Sequence, residues 1–126
     1  LMSNKTYLGS VTRESRPFIL DTEKLRRANA KVTAAKAYKA GDLLTLSAAN
    51  VVDHAVDEKT WTVVCGRDVS AVEATQMAAD GVELPIYFGG VFSIEAICLA
   101  GVYLATGKYD AARAQATLNH IEFSKV

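Results

Sequence analysis

The chain has 126 residues, half of them hydrophobic, and its 14 basic residues balance 14 acidic ones. This length and apolar content predict a single domain with a packed core and argue against disorder. The balanced charge argues against nucleic acid or an anionic membrane as a partner, and no stretch reaches the roughly 18 to 20 apolar residues of a membrane span. The polar residues from Ser3 to Lys5 are not typical of a secretory signal.

The first 27 residues differ in composition from the rest of the chain. They are rich in Ser, Thr, Lys and Arg and follow no helical period, and Pro17 favours extended backbone just before it. We therefore expect an extended N-terminal arm over residues 1–27 and a domain over residues 28–126, with a short helix over residues 22–27 as an alternative. The arm is either a docking strand or a frayed terminus. Its candidate docking residues are Tyr7, Leu8, Val11, Phe18, Ile19 and Leu20.

Short strands separated by turns are predicted for the first half of the domain. Leu43–Leu46 and Val51–Val52 are two such strands, and the run Trp61–Gly66 is rich in the residues that favour strands. Residues 67–80 are ambiguous. They favour a surface loop with one helical turn, although a helix that ends before Gly81 is the alternative.

Alternating apolar residues dominate residues 82–96. The pair Gly89–Gly90 divides them into two runs and has two interpretations. Glycine reaches the positive φ of a two-residue hairpin turn, but a bulge in one long, bent strand fits as well. Two sets of residues are each expected to share a strand face: Val82, Leu84, Ile86 and Phe88, followed by Phe92, Ile94 and Ala96.

The C-terminal part predicts one helix between two extended pieces. The first piece is Val102–Leu104, and Ile121–Phe123 forms a closing strand. The helix covers Ala111–Leu118, with Asp110 as its N-cap and Asn119 at its end. The whole pattern predicts an α+β fold that is mostly β: a small barrel-like domain with one short C-terminal helix and an extended N-terminal arm.

No residues with a catalytic or metal-binding pattern are found. His54 and His120 are the only histidines, and neither has another His or Cys at a ligand spacing. Cys65 and Cys98 lie in apolar runs, so we expect buried thiols rather than the alternative of a disulfide. No phosphate-binding loop or nucleophile motif is present. We therefore expect a protein that is not an enzyme and needs no cofactor or metal, with its aromatic residues in a core or a subunit interface.

The order of several segments resembles the lambda-type head decoration proteins of tailed phages. The resemblance covers about residues 32–124. Cys65 and Gly66 stand where that family has aliphatic residues, and residues 1–27 do not align with it. The segments that carry the resemblance are Tyr38–Leu44, Val63–Ala71, Ile86–Phe92, and Arg113–Leu118 with Ile121–Phe123.

The resemblance implies a capsid cement protein on the exterior of the virion, present in the host cytoplasm during assembly. Such proteins bind the expanded head as trimers at three-fold positions and hold the shell against DNA pressure. The implied partners are the major capsid protein and further copies of the chain. The arm is implied to pair with a capsid strand, and 27 extended residues reach up to roughly 90 Å. A tail-tube or head-completion protein, or a small β-barrel binding module, are the alternatives.

Overall fold

The computed structural model describes residues 18–125, which form eight strands and two helices. The described residues also form two 3₁₀ turns, Ile94–Ala96 and Thr106–Lys108. The elements are β1 (Ile19–Ala30), β2 (Leu43–Leu46), β3 (Val52–His54), β4 (Val63–Cys65), α1 (Ala71–Asp80), β5 (Leu84–Ser93), β6 (Cys98–Leu99), β7 (Val102–Tyr103), α2 (Tyr109–Leu118) and β8 (Ile121–Ser124).

Six of these strands form one sheet that curls toward a barrel. Its order is β1-β5-β4-β2-β3, and β8 pairs in parallel with the second half of β5. The other pairings in the sheet are antiparallel. A bridge between Lys31 and Val51 joins the end of β1 to the start of β3. The two ends of the sheet therefore meet, and the predicted α+β, mostly β fold class is confirmed.

Both faces of the sheet are covered by other parts of the chain. One core lies beneath α2 and β8, and the other lies beneath α1. Because both faces are buried there, β4 and the Leu43–Leu44 half of β2 consist of consecutive apolar residues rather than an alternating pattern. Residues along the strands alternate between the two cores: Leu43, Val64 and Tyr87 face the α2 side, and Leu44, Val63 and Ile86 face the α1 side.

The glycine pair lies inside one continuous strand, β5, so the hairpin interpretation is wrong and the interpretation as one long strand is confirmed, with the larger bulge in the partner strand. Asp21 of β1 pairs with Val91, and Arg26 pairs with Gly89. Residues 22–25 therefore lie opposite a single residue of β5 and form a bulge in β1.

A second register shift leaves one residue of β5 unpaired with β1. Arg26 pairs with Gly89 and Arg27 pairs with Tyr87, which leaves Phe88 without a partner in β1. Phe88 is 43% exposed, whereas Leu84 is buried. Residues predicted to share this face therefore differ in burial, because the cover provided by the neighbouring elements ends before Phe88.

Residues 71–80 form the helix α1, so the favoured interpretation as a loop is wrong. Ser70 begins the helix, and its Oγ accepts a hydrogen bond from the backbone N–H of Glu73 at 3.1 Å. Gly81 ends it in the left-handed region, at φ 72°. Ala74 and Met77 face the core, so the helix is held by its apolar side.

The C-terminal helix exists and ends at Asn119, as predicted, but Asp110 is not its N-cap. The preceding 3₁₀ turn leads directly into α2, and Lys108 occupies the N-cap position without a side-chain cap. Asp110 lies in the first turn instead, where a carboxylate is favourable to the helix dipole. β8 follows with Ile121 and Phe123 buried and Glu122 exposed, which confirms the closing strand.

Residues 19–27, which we assigned to the arm, belong to the sheet as most of β1. The alternative of a short helix over residues 22–27 is wrong, because this stretch is part of the strand and its bulge.

Candidate docking surface

The first described residues are fixed to the domain by an aromatic contact. The ring of Phe18 stacks on Phe92 with 5.0 Å between centroids, and Tyr87 lies 6.2 Å away. The Phe18 carbonyl accepts a hydrogen bond from the Ser93 N–H at 3.0 Å. Ile19 pairs with Phe92 and packs against the same core. These contacts fix Phe18 and Ile19, the first described residues, to the domain.

The six candidate docking residues therefore divide into two groups. Phe18 and Ile19 contact the chain's own core, and Leu20 is half-buried beside them. Their role in binding a capsid stays a prediction. Tyr7, Leu8 and Val11 lie outside the described residues.

Among the described residues, no strand pairs with the outer edge of β1 over most of its length. Within residues 18–125, β1 pairs only with β5 until the bridge at Lys31. Unpaired backbone groups at a sheet edge are a template for another strand. The edge carries charged residues and a bulge, the two features that limit uncontrolled association of edge strands: Asp21, Glu23, Lys24, Arg26 and Arg27 are the charged ones.

Gly89 and Gly90 leave the space that side chains of the β1 bulge occupy. A Cβ atom on Gly89 would lie 3.0 Å from the side chain of Arg26. Gly90 has φ +135°, and a Cβ there would lie 3.0 Å from Leu25 and 3.1 Å from Phe92. Only glycine fits this close approach and this backbone conformation.

A groove lies between the bulge and the end of α2. Its volume is about 860 Å³, and Gly90 and Val91 line it from β5. Its walls have charges of both signs, since Glu23, Lys24 and Arg26 come from the bulge. His120, Ile121 and Glu122 line it on the side of β8. The open edge and the groove thus share the bulge of β1.

A second exposed feature is the hairpin of β6 and β7, which a buried carboxylate holds in place. Asp42 is fully buried, and its Oδ1 accepts a hydrogen bond from the Gly101 N–H at 2.8 Å. Its Oδ2 accepts from the Lys39 N–H at 2.9 Å. One side chain therefore joins the turn before β2 to the turn of the hairpin.

The hairpin tip, defined as Val102 and Tyr103 with the adjacent Lys39, combines apolar surface with a positive charge. Val102 is 70% exposed and Tyr103 46%. The Nζ atom of Lys39 lies 4.0 Å from the centroid of the Tyr103 ring. The hydrogen bond with the Tyr103 side chain raises the pKa of Lys39 from its ordinary value, with smaller contributions from other charges. Lys39 is therefore charged at neutral pH.

A smaller concavity, which we call the α1 hollow, lies beside the C-terminal end of α1. It has a volume of about 300 Å³. Met77 and Val82 supply apolar surface, and Glu83 supplies a negative charge. The remaining lining residues are Lys31, Val32, Val51, Ala78 and Gly81.

The two cysteines lie in the interior, and the two histidines lie in a strand and in a turn. Cys65 and Cys98 are both buried. Burial raises the pKa of Cys65 to about 12, so this thiol is protonated at neutral pH and a poor nucleophile. Nε2 of His54 donates to the Ala37 carbonyl at 2.8 Å. His120 lies in the turn between α2 and β8 with φ 61°.

Two further searches covered only the part of the chain that the structure describes. It contains no cluster of three His, Cys, Asp or Glu residues suited to a metal ion. Neither of its helices has the length and apolar content to cross a membrane.

In comparisons with known proteins, no family model matches the chain and no curated protein matches it significantly. The functional proposal therefore rests on residue patterns and geometry.

Sequence reasoning missed three parts of this surface. The open edge begins inside the segment that we treated as an arm, the clamp at Asp42 joins residues 59 positions apart, and the groove depends on a register shift. One signal for the clamp was available: an Asp directly after Gly41, in a turn beside an apolar strand, is a common acceptor for backbone N–H groups.

Proposed function

We propose that this chain is a capsid decoration protein. It binds the outer surface of an expanded phage head as a trimer and stabilises the shell against internal pressure. It acts without catalysis, cofactor, nucleic acid or membrane. The observation that carries the proposal is the open outer edge of β1, because an edge strand can pair with a strand of a partner through main-chain hydrogen bonds.

The segments that resemble decoration proteins support the proposal by their positions. Val63–Ala71 covers β4 and the start of α1, and Ile86–Phe92 is the centre of β5. Arg113–Leu118 and Ile121–Phe123 belong to α2 and β8. The resemblance therefore concerns the buried framework, and the contacts with a capsid belong to β1 and the residues before it.

The position of Phe18 redefines the docking segment. Because β1 belongs to the domain, 17 residues precede the anchor at Phe18. Fully extended, they would reach up to about 56 Å, enough to cross onto a neighbouring subunit. Three such segments in a trimer would strengthen binding through their high effective concentration.

The test is co-sedimentation with empty, expanded heads of the phage that encodes the chain. Three proteins are compared: the full chain, a chain lacking residues 1–17, and the full chain with Leu20→Asp. The truncation leaves β1 whole, whereas removal of residues 1–27 would delete most of a core-forming strand. Unfolding curves of all three proteins serve as the folding control.

We expect the full chain to sediment with the heads and both altered proteins to bind more weakly. Equal binding by the truncated chain would assign docking to the domain rather than to the preceding segment. Absence of binding by the folded full chain would contradict the proposal and favour a tail-tube or head-completion role, which binding to purified tails and unfinished heads would then test.

A further inference from the structure

We infer that the outer edge of β1 binds an extended segment of the partner that is acidic, with a carboxylate paired to Arg27 and an apolar side chain packed against Phe88. This inference rests on the proposed function and names the chemistry of the segment that docks there. The occupant of the edge is thus a strand in which acidic and apolar residues alternate.

Backbone groups of β1 beyond the bulge point alternately toward β5 and toward the open side. The Gly66 N–H donates to the Pro85 carbonyl at 2.9 Å, so the backbone groups of Pro85 face β4 rather than β1. Asn29 pairs with Pro85, and Arg27 pairs with Tyr87. Since hydrogen-bonded and non-hydrogen-bonded pairs alternate in an antiparallel ladder, Arg27 and Asn29 direct their N–H and C=O groups outward.

The chain itself uses this outward side further along the strand. The Lys31 N–H donates to the Asn50 carbonyl at 2.8 Å, and the Val52 N–H donates to the Lys31 carbonyl at 2.9 Å. The Asn50 side chain donates to the Asn29 carbonyl at 3.1 Å. Within residues 18–125, the outward N–H and C=O of Arg27 have no such partner. A partner strand can therefore pair at Arg27 and ends before Lys31.

The charge of β1 changes sign at the bulge. Before it, Asp21 and Glu23 are acidic. The stretch of residues 24–31 has four basic residues and no acidic one, namely Lys24, Arg26, Arg27 and Lys31. All four are exposed, and within the described part of the chain none of them lies within 4.0 Å of a carboxylate oxygen. Direct ion pairs with a partner are therefore open to them.

Acidic residues nearby offset three of these four charges in part. Glu23 and Glu122 line the groove together with Lys24 and Arg26, and Glu83 lines the α1 hollow together with Lys31. Arg27 lines neither of these cavities. The positive charge that lacks a nearby acid is therefore centred on Arg27, the same residue whose backbone groups point outward.

An exposed aromatic ring lies beside the two arginines. Phe88 falls between Tyr87, the partner of Arg27, and Gly89, the partner of Arg26. Its side chain is 43% exposed. A Cβ on Gly89 would lie 3.0 Å from the Arg26 side chain, so the stem of Arg26 runs close to the strand next to Phe88. Arginine and aromatic side chains are both enriched in protein interfaces.

The backbone groups select a polypeptide over a nucleic acid. Arginines beside an exposed ring also suit a single strand of nucleic acid, whose bases stack on aromatic rings. A nucleic acid cannot extend the ladder at Arg27, whereas a polypeptide strand exchanges two hydrogen bonds with one residue. A carboxylate in addition forms a charge-assisted pair with the guanidinium. An extended acidic segment therefore matches both the backbone and the side chain of Arg27.

The test measures fluorescence anisotropy of labelled probes mixed with the full chain. Three short peptides alternate Val with Glu, with Gln or with Lys, and a single-stranded oligothymidylate is the fourth probe. We expect the Glu peptide to bind roughly tenfold more tightly than the Gln peptide, the effect of one charge-assisted contact, and the Lys peptide to bind most weakly.

Substitution of the arginine makes the test specific to this edge. Arg27→Glu should weaken binding of the Glu peptide roughly tenfold and strengthen binding of the Lys peptide. Arg113→Glu is the matched control, since it makes the same charge change at an exposed residue of α2. Phe88→Ser should also weaken binding of the Glu peptide. Unfolding curves confirm that each variant is folded.

Hydrogen exchange tests the backbone part of the contact. With the Glu peptide bound, the amides of Arg27 and Asn29 should exchange more slowly, while the Gly101 amide, which Asp42 already holds, should not change. Unchanged exchange at Arg27, equal binding of the Glu and Lys peptides, no peptide binding at all, or equal effects of Arg27→Glu and Arg113→Glu would overturn the inference. Tighter binding of the oligothymidylate than of the Glu peptide would also overturn it, because the edge would then bind nucleic acid.

Head binding of the same proteins separates this inference from the proposed function. We expect Arg27→Glu to weaken co-sedimentation with heads and Arg113→Glu to leave it unchanged. Heads that bind both variants equally well would overturn the inference and leave the function standing. A folded full chain that prefers the Glu peptide but binds no heads would contradict the function and leave the acidic-strand site standing.

Discussion

The centre of the sheet and its first strand are built differently. β4 is short and buried throughout, β2 is buried at Leu43 and Leu44, and a neighbouring strand pairs along each side of both. β1 has 12 residues, of which only Ala30 is fully buried, and Leu20 and residues 22–25 leave the regular register. Among residues 18–125, the central strands are paired on both sides, whereas β1 is paired on one side and, up to the bridge at Lys31, unpaired on the other. From this difference we expect the centre to supply most of the stability, and under the proposed function the edge supplies recognition.

The largest expected effect comes from the centre, at Trp61. Its ring is fully buried and stacks on Phe123 with 5.2 Å between centroids, and its Nε1–H donates to the Glu58 carbonyl at 2.9 Å. We expect Trp61→Ala to lower the free energy of unfolding by about 3–5 kcal/mol, measured by urea denaturation. Val56→Ala is the exposed control. A loss below about 1 kcal/mol would contradict the division between centre and edge.

The next effect concerns the clamp of the hairpin. Asp42→Ala removes the acceptor of the Gly101 and Lys39 N–H groups, and we expect a loss of about 1–3 kcal/mol. Hydrogen exchange at the Gly101 amide should accelerate as the hairpin opens. If that amide exchanged at an unchanged rate while the protein lost stability, Asp42 would act on packing rather than on the hairpin.

The glycine pair connects the two regions, because it lies in the central strand and accommodates the bulge of the edge strand. Gly90→Ala adds a Cβ at φ +135° and beside Leu25. We expect a loss of roughly 1–3 kcal/mol in thermal unfolding. Gly107→Ala is the matched control, since no atom lies within 4 Å of an added Cβ and its φ is not positive. Similar losses of stability in both variants would show that the bulge does not require glycine at Gly90.

A substitution at the edge should separate binding from stability. Leu20 is half-buried near the start of β1, so Leu20→Asp should cost less stability than Trp61→Ala and still weaken head binding. Phe18→Asp should reduce both, because Phe18 stacks on Phe92 of the core. Urea denaturation and co-sedimentation are measured on the same samples. Normal head binding by the folded Leu20→Asp protein would show that this residue is no anchor.

The smallest expected effect is a change in acid stability through Asp53. The hydrogen bond from Lys36, with Nζ 3.0 Å from Oδ1, lowers the pKa of Asp53 below its ordinary value of 3.8. Because the pKa of Asp53 is lower in the folded than in the unfolded protein, its carboxylate stabilises the fold at a pH above the unfolded pKa. This stabilisation is lost as the pH falls through the lower, folded pKa. Asp53→Asn should therefore flatten the stability curve slightly below pH 4. An unchanged curve in acid would show that solvent screens the pair.

The sequence predicted the fold class because most elements depend on local signals. The strand Leu43–Leu46 and the end of α2 at Asn119 agree with the structure. Helix α1 was predictable but missed: Ser70 and Glu73 have the spacing of a capping box, and Gly81 is a common helix terminator. The apolar residues of this segment, however, are equally compatible with a surface loop whose apolar side chains pack on the domain.

The docking surface could not be derived in the same way, because it depends on long-range pairing. Nothing local indicates that residues 19–27 pair with β5 rather than extend from the domain. The bulge arises from a register that only the paired strands define. The hairpin tip and the hollow likewise depend on contacts between residues far apart in the chain, such as Asp42 with Gly101.

Hydrogen exchange of the full chain, free and bound to expanded heads, tests the central claim most directly. The amides of β1 should exchange readily at the open edge of the free protein and become protected on the head, while those of β2 and β4 stay protected in both states. Protection that appears on the head elsewhere, with β1 unchanged, would contradict the account of β1 as the docking edge.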